Sequence, residues 1–227
     1  WPLHAVTDVS GGSHDLTNNN TVTFTNDEQG SPTGSYANFN GSNQSLTLAD
    51  HADFTMGSEM SVGCWFYRDT DSGGPEGLIT KFDSGTAADR TWHLIIGTGD
   101  TINFSTVIAG PTVRESTGSV AATGIWYYAV GTYDGTEQKI YVNGVVIDTD
   151  AVTGSLIDSS EIVAIGARTS GNTPTQFFDG KIGGAFVTAT AMTEREIKAE
   201  YQRGLRRINS TTDTNDTISD NDVASVQ

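Results

Sequence analysis

The sequence predicts an all-β fold, a two-sheet antiparallel β-sandwich with one short C-terminal capping helix, and three observations carry that prediction. Runs of four to eight residues rich in Val, Ile, Thr and aromatics recur from about residue 20 to about residue 190, which is strand composition. Clusters of Gly, Asn, Asp and Ser separate these runs every dozen residues or so, which is turn chemistry. No helical pattern long enough for a parallel crossover intervenes, so neighbouring strands must pair antiparallel.

In chain order the strands are expected at 21–25 (TVTFT), 35–39 (SYANF), 44–48 (QSLTL), 60–67 (MSVGCWFY), 77–82 (GLITKF), 92–97 (WHLIIG) and 102–107 (INFSTV). They continue at 125–133 (IWYYAVGTY), 139–144 (KIYVNG), 145–149 (VVIDT), 161–167 (EIVAIGA), 177–182 (FFDGKI) and 183–188 (GGAFVT). Asn143-Gly144 between KIYV and VVID is a type I′ hairpin signal, so those two strands are expected to be partners. The helix is expected at about 194–203. Thr193 and Glu196 form a capping box, Met192 and Ile197 a hydrophobic staple, and Gly204 sits where a C′ residue belongs. Ile197, Tyr201, Leu205 and Ile208 recur at helical spacing, one apolar stripe to lay on the sandwich. The domain is therefore expected over 1–208, followed by a polar acidic tail at 209–227 that acts as a linker or docks on a further domain or partner. A start at Trp1 implies processing or a longer parent chain.

Charge narrows the partners. With 28 acidic and 12 basic side chains the formal net charge is -16, which repels a phosphate backbone and an anionic membrane surface alike. No apolar run approaches the ~18 residues of a membrane span. The single cysteine, Cys64, lies inside MSVGCWFY and is expected to be a buried, inert thiol.

The motifs and their order carry a resemblance. DVSGGSHDL (8–16), YANFNGSNQSLTLAD (36–50), MSVGCWFY, GIWYYAVGTYDG (124–135), KIYVNGVV, VAIGAR (163–168), FFDGKIGGAFV (177–187) and TEREIKAEYQRG (193–204) together resemble the laminin-G-like branch of the concanavalin A-like lectin/glucanase superfamily. Tyr127 and Tyr128 stand where many relatives have a His pair, a variant associated with bacterial and viral members. The resemblance implies a jelly-roll sandwich whose ligands are met on rim loops or on a concave face. It also implies that the first and last long strands lie side by side, bringing Asn40 and Asp179 near the Asp8 loop. Asp8, Asn40 and Asp179 are the candidate ligands of a structural Ca2+, which takes six to eight oxygens. Asn40-Gly41 and Asp179-Gly180 equally suit positive-φ turns.

No catalytic residues are expected. The E-x-D-x-x-E string of laminarinase-type relatives is absent, Asp148, Glu161 and Asp179 are isolated, and His4, His14, His51 and His93 have no evident partners in sequence. Ligand-binding candidates come from the rim segments 69–74, 83–90 and 168–175: Asp69, Asp71, Asp83, Arg90, Arg168 and Asn172 could supply the hydrogen bonds that sugars require. The first of these segments begins like a calcium loop but carries Thr80 where the twelfth-position glutamate belongs. Trp92, Trp126 and Tyr128 are either stacking surfaces or core aromatics. The expected function is a non-catalytic, lectin-like recognition module displayed on an extracellular or virion surface, binding a glycan or host-cell ligand. The alternative is a virion decoration, tail or fibre protein that uses the sandwich as scaffold and meets other subunits through its C-terminal tail.

Overall fold

A computed structural model describes residues 5–6, 14–26, 28–108 and 112–209. Two seven-stranded sheets face each other. The first runs β1 (Thr17–Asn19), β4 (Ser45–Leu48), β13 (Val163–Ile165), β6 (Glu76–Phe82), β7 (Arg90–Ile96), β8 (Thr101–Ile108), β9 (Thr112–Val120). The second runs β12 (Val145–Ala151), β11 (Glu137–Val142), β10 (Trp126–Tyr133), β5 (Met60–Arg68), β16 (Asp179–Thr188), β3 (Tyr36–Asn40), β2 (Thr23–Thr25). Their ladders are antiparallel, as the missing crossovers require.

Strand alternation fills the space between the sheets. Trp92, Leu94 and Ile96 of β7, Ile102 and Phe104 of β8, and Val62, Cys64 and Phe66 of β5 all enter one core. Burial pushes the Cys64 thiol far above its ordinary range, so it is an inert packing residue. The opposite parity of the second sheet presents Trp65, Tyr128, Val130 and Tyr141 to the helix α1 (Glu194–Asn209). Thr193 and Glu196 close the expected capping box: Glu196 N–H donates to Thr193 Oγ1 at 3.3 Å, and Thr193 N–H to Glu196 Oε2 at 2.8 Å. No helix among the described residues is long and apolar enough to cross a membrane.

Four expectations are corrected. The helix does not stop at Gly204 but runs on to Asn209; Gly204 is buried because the ring of Trp65 lies against it, and a Cβ there would fall 2.3 Å from Trp65 Cζ2. The pair of strands expected at 177–188 is one strand, β16, whose register shifts between Gly183 and Phe186; a bulge at Gly184 (φ 57) absorbs the extra residues without reversing the chain. β9 occupies a stretch with no strand expected. Its sequence TVRESTGSV is too polar to look like one, yet its inward Ser116 is met by Gln138 of the other sheet. Finally, 168–175 is not a rim loop but a hairpin of β14 (Arg168–Ser170) and β15 (Thr173–Thr175), turned by Gly171 (φ 56) and Asn172 (φ 61) in the two-residue type I′ manner.

This hairpin lies on the outer face of the first sheet. A Cβ on Gly77 would fall 2.0 Å from the carbonyl carbon of Ala167, so only glycine lets the chain pass there. Thr80 Oγ1 donates to Ala167 O at 3.1 Å and Thr169 Oγ1 to Phe82 O at 3.1 Å.

Candidate functional site

Since Trp92, Leu94 and Ile96 face the core, His93 and Ile95 must face outward, and so must Asn103 and Ser105 on β8. The ladders align Thr80, His93, Ser105 and Glu115 in one row across β6, β7, β8 and β9. Outward-facing residues are usually wet, yet His93 is only 3% exposed and Ser105 0%. Phe82 lies against the imidazole, with ring centroids 4.1 Å apart. The guanidinium groups of Arg90 and Arg168 stand 5.4 and 5.6 Å from the Phe82 centroid.

The hydrogen-bond chain fixes the tautomer. Ser105 Oγ has one proton and donates it to Glu115 Oε2 at 3.2 Å, because a carboxylate only accepts. His93 Nε2, 2.8 Å from the same oxygen, must then be the donor, which leaves Nδ1 as a bare acceptor. Burial, seconded by the charges of Arg168 and Arg90, holds the His93 pKa well below the ordinary imidazole range, so the ring is neutral. The acid and the histidine hold the same serine oxygen, and among the described residues no acid meets Nδ1.

Five buried side-chain atoms lack a hydrogen-bond partner among the described residues, and four of them sit on this side: His93 Nδ1, Asn103 Oδ1, Arg168 Nε and Thr175 Oγ1. Thr175 is the direct ladder partner of Arg168, so the two share a face. Asn103 stands one pleat along β8 from Ser105. The fifth, Trp92 Nε1, is in the core.

The six sequence candidates divide. Arg90 and Arg168 converge on Phe82 as described. Asp83 and Asn172 hold them in place. Asp83 accepts the amides of Thr86 and Gly171, each at 3.0 Å, stapling the β6–β7 loop to the hairpin turn. Burial alone would raise the Asp83 pKa, but these amides and that of Gly85 outweigh it and lower it. Asn172 accepts from Ile162 N–H at 2.8 Å and donates its own N–H to Glu161 at 2.9 Å. Arg90 is anchored by the carbonyls of Asp83 and Ser84 at 3.1 and 3.2 Å. Ion pairs engage Arg68, Lys81, Lys139, Lys181 and Arg203, but among the described residues neither Arg90 nor Arg168 has a carboxylate within 4.0 Å. Asp69 and Asp71 are elsewhere: Asp69 lies 3.5 Å from Lys181 Nζ, and Asp71 accepts from the buried Arg68 at 2.7 Å.

Of the three calcium candidates the structure describes two, Asn40 and Asp179. Asp8 lies outside the described residues. Asn40 and Asp179 are ladder partners, but Asn40 Oδ1 already accepts the amides of Ser42, Asn43 and Gln44 at 3.0, 3.2 and 3.3 Å, and Asp179 accepts the Thr70 hydroxyl. By themselves these two side chains supply fewer oxygens than the six to eight that calcium takes. The turn reading has positive support: Gly41 adopts φ 66, with Asp179 Cβ 2.7 Å from where a Cβ would be.

The stacking candidates are also placed. Trp92 is fully buried in the core, and Trp126 meets Tyr36 and Tyr67 edge-on. Tyr128 lies under the helix beside a groove of about 450 Å³ that Trp65, Phe186, Met192 and Arg203 help to line. There Trp65 stacks on Tyr201 at 5.5 Å and Tyr128 on Tyr201 at 6.5 Å. Because these rings face one another, the groove offers a ligand little open ring surface. Phe82, His93, Asn103, Ser105 and Glu115 lie outside the ligand-binding segments read from the sequence, and Thr175 closes the segment 168–175 without being singled out. The alternation in TWHLII was the available signal, because it sets His93 opposite Trp92.

Comparison with known proteins agrees with this architecture. The binding domain of Paraclostridial Mosquitocidal Protein 1 superposes with a TM-score of 0.66 at 15% identity, over 86% of this chain and 48% of that one. The botulinum neurotoxin serotype G binding domain gives 0.64 at 14%, over 85% and 47%. The binding domain of botulinum neurotoxin DC in complex with SialylT gives 0.62 at 12%, over 87% and 48%. This chain thus spans about half the length of these structures, and at such identities the likeness is one of fold. No curated protein matches. The family model described as the concanavalin A-like lectin/glucanases superfamily, of laminin-G type, matches residues 40–198, and the chain belongs to that superfamily.

Proposed function

We propose that the chain is a non-catalytic carbohydrate-recognition module, exposed outside the cell, that binds a saccharide carrying an acidic group on the outer face of the first sheet. The observation that carries this reading is the set of unpartnered atoms around Phe82, His93 and Arg168. An unsatisfied buried polar group costs about 1–3 kcal/mol, and here two acceptors, one N–H donor and one hydroxyl share a face. Sugar hydroxyls both donate and accept, so a polyol can satisfy all four kinds. The acidic group follows from Arg90 and Arg168. Arg168 has its pKa lowered, first by burial and then by repulsion from Arg90, and an anion between them would relieve both. Solved structures of similar fold are binding domains, one of them in complex with SialylT, which supports the class without supplying the ligand.

The test is calorimetry, preceded by a screen of neutral, carboxylated and sulfated oligosaccharides. Saturable binding confined to acidic sugars, weakened at least about tenfold by Arg168→Ala, is the expected result. Silence across the screen, or affinity indifferent to Arg168→Ala, would sink the proposal.

A further inference from the structure

We propose that His14, His51 and Asp53 form a zinc-binding site at the edge of the sandwich, remote in sequence from the saccharide face. No partner for these histidines is evident along the chain, but folding brings them together across 37 positions. His14 Nε2 lies 3.4 Å from His51 Nδ1 and 2.9 Å from Asp53 Oδ2, and His51 Nδ1 lies 3.5 Å from the same carboxylate oxygen.

Two of these separations, 3.4 and 3.5 Å, are close to those of a metal face, and the third, 2.9 Å, is the direct His14–Asp53 contact that a metal would widen. Zinc–nitrogen and zinc–oxygen bonds of about 2.0–2.1 Å at tetrahedral angles put neighbouring donors about 3.3–3.4 Å apart. The donor set selects the ion: two imidazoles and one carboxylate suit zinc, whereas calcium and magnesium take oxygen. The scaffold is built as well. Phe54 anchors the 3₁₀ turn Ala52–Phe54 in the core at 6% exposure, and the His14 ring packs edge-on against it at 5.3 Å. The side chain of His14 is 14% exposed, those of His51 and Asp53 50% and 60%, so the open side faces solvent and a water completes the tetrahedron.

Without metal the same atoms hold one another. His14 Nε2 meets Asp53 Oδ2, and His51 Nδ1 accepts Asp53 N–H at 3.2 Å. Zinc replaces these contacts by taking the lone pairs of Nε2 and Nδ1. A proton held on His14 Nε2 must leave that nitrogen as zinc binds, so binding displaces a proton. The result is a clamp between the strand entry at residue 14 and the turn at 51–54.

The experiment titrates zinc chloride into the untagged 227-residue protein. One zinc per chain, a rise in melting temperature with zinc but not with calcium, and the visible absorption of tetrahedral cobalt on substitution with Co2+ are expected. Asp53→Ala and His51→Ala replace exposed side chains, so both variants should still fold, with at most a small loss from the missing turn contacts, and bind zinc at least about tenfold more weakly. No saturable zinc binding below about 1 mM, or the parental affinity in His51→Ala, overturns the proposal.

Discussion

His93 and Ser105 meet across the β7–β8 ladder at 2.8 Å, and the serine passes its only proton to Glu115. The contact holds a buried imidazole whose other nitrogen has no hydrogen-bond partner among the described residues. Ser105→Ala orphans Nε2–H as well, for a loss of about 1–3 kcal/mol. Urea denaturation checks this, with a lowered midpoint at unchanged slope. A loss below about 0.5 kcal/mol, the scale of ordinary surface substitutions, would mean that the row is not the buried network described.

The same histidine sets a pH dependence of known sign. Its folded pKa is depressed well below 6.5, so between the two values the unfolded chain binds a proton that the folded chain refuses. That contribution to stability is complete above about pH 6.5 and is lost as pH falls toward the folded pKa. Melting temperatures should therefore decline below about pH 6.5, and His93→Gln should remove that part of the decline. A parent flat from neutrality into the carboxylate range would contradict it.

Gly204 reverses a common rule. Gly→Ala inside a helix normally gains about 1 kcal/mol. Here the new methyl would fall 2.3 Å from the Trp65 ring, and the helix must lift from the sheet. Gly204→Ala should destabilise by about 1–3 kcal/mol, measured by thermal melting alongside tryptophan fluorescence. A stabilised variant would show that the contact yields freely.

What was legible in the sequence follows from what alternation and turn chemistry encode. MSVGCWFY and IWYYAVGTY declare strands because they are apolar and β-branched or aromatic, and Asn143 (φ 53) with Gly144 (φ 76) forms the expected hairpin turn. The strand Thr112–Val120 was hidden because its inward polar groups are satisfied by a residue of the opposite sheet, Gln138, a long-range fact that no local window contains. Arg90 and Arg168 were legible as binding candidates by residue type alone. Their convergence on Phe82 was not, since it depends on the crossing at Gly77 and on the staple from Asp83 to Gly171. The pairing of His14 with His51 was invisible for the same reason.

The commitment of Asn40 to its own turn makes a further prediction. Calcium-selective chelation should leave the melting temperature unchanged, and Asn40→Ala should destabilise through three amides left without their acceptor, whether or not calcium is present. A chelator-sensitive melt that Asp179→Ala abolishes would restore the calcium reading.

The largest single effect is expected at Arg68, which is 1% exposed and reaches from β5 to Glu76 of β6, itself fully buried. Glu76 accepts from Arg68 Nη2 at 2.7 Å and from Nε at 3.3 Å, while Nη1 donates to Asp100 at 2.9 Å and to Ala121 O at 3.3 Å. With Asp71 also accepting from Nη2 at 2.7 Å, one guanidinium thus ties the two sheets and three loops at one end of the sandwich. Replacing both partners by apolar residues could cost little, because burying two charges offsets most of their attraction. Removing only the acid is different: Glu76→Gln strands a buried cation, with Asp71 and Asp100 as its remaining, partly exposed partners. A loss of about 3–5 kcal/mol is expected, and Glu76→Leu with Arg68→Met should recover much of it. Denaturation of the three variants decides the matter: a Glu76→Gln loss under about 1 kcal/mol, the range of surface pairs, would show that solvent reaches the guanidinium.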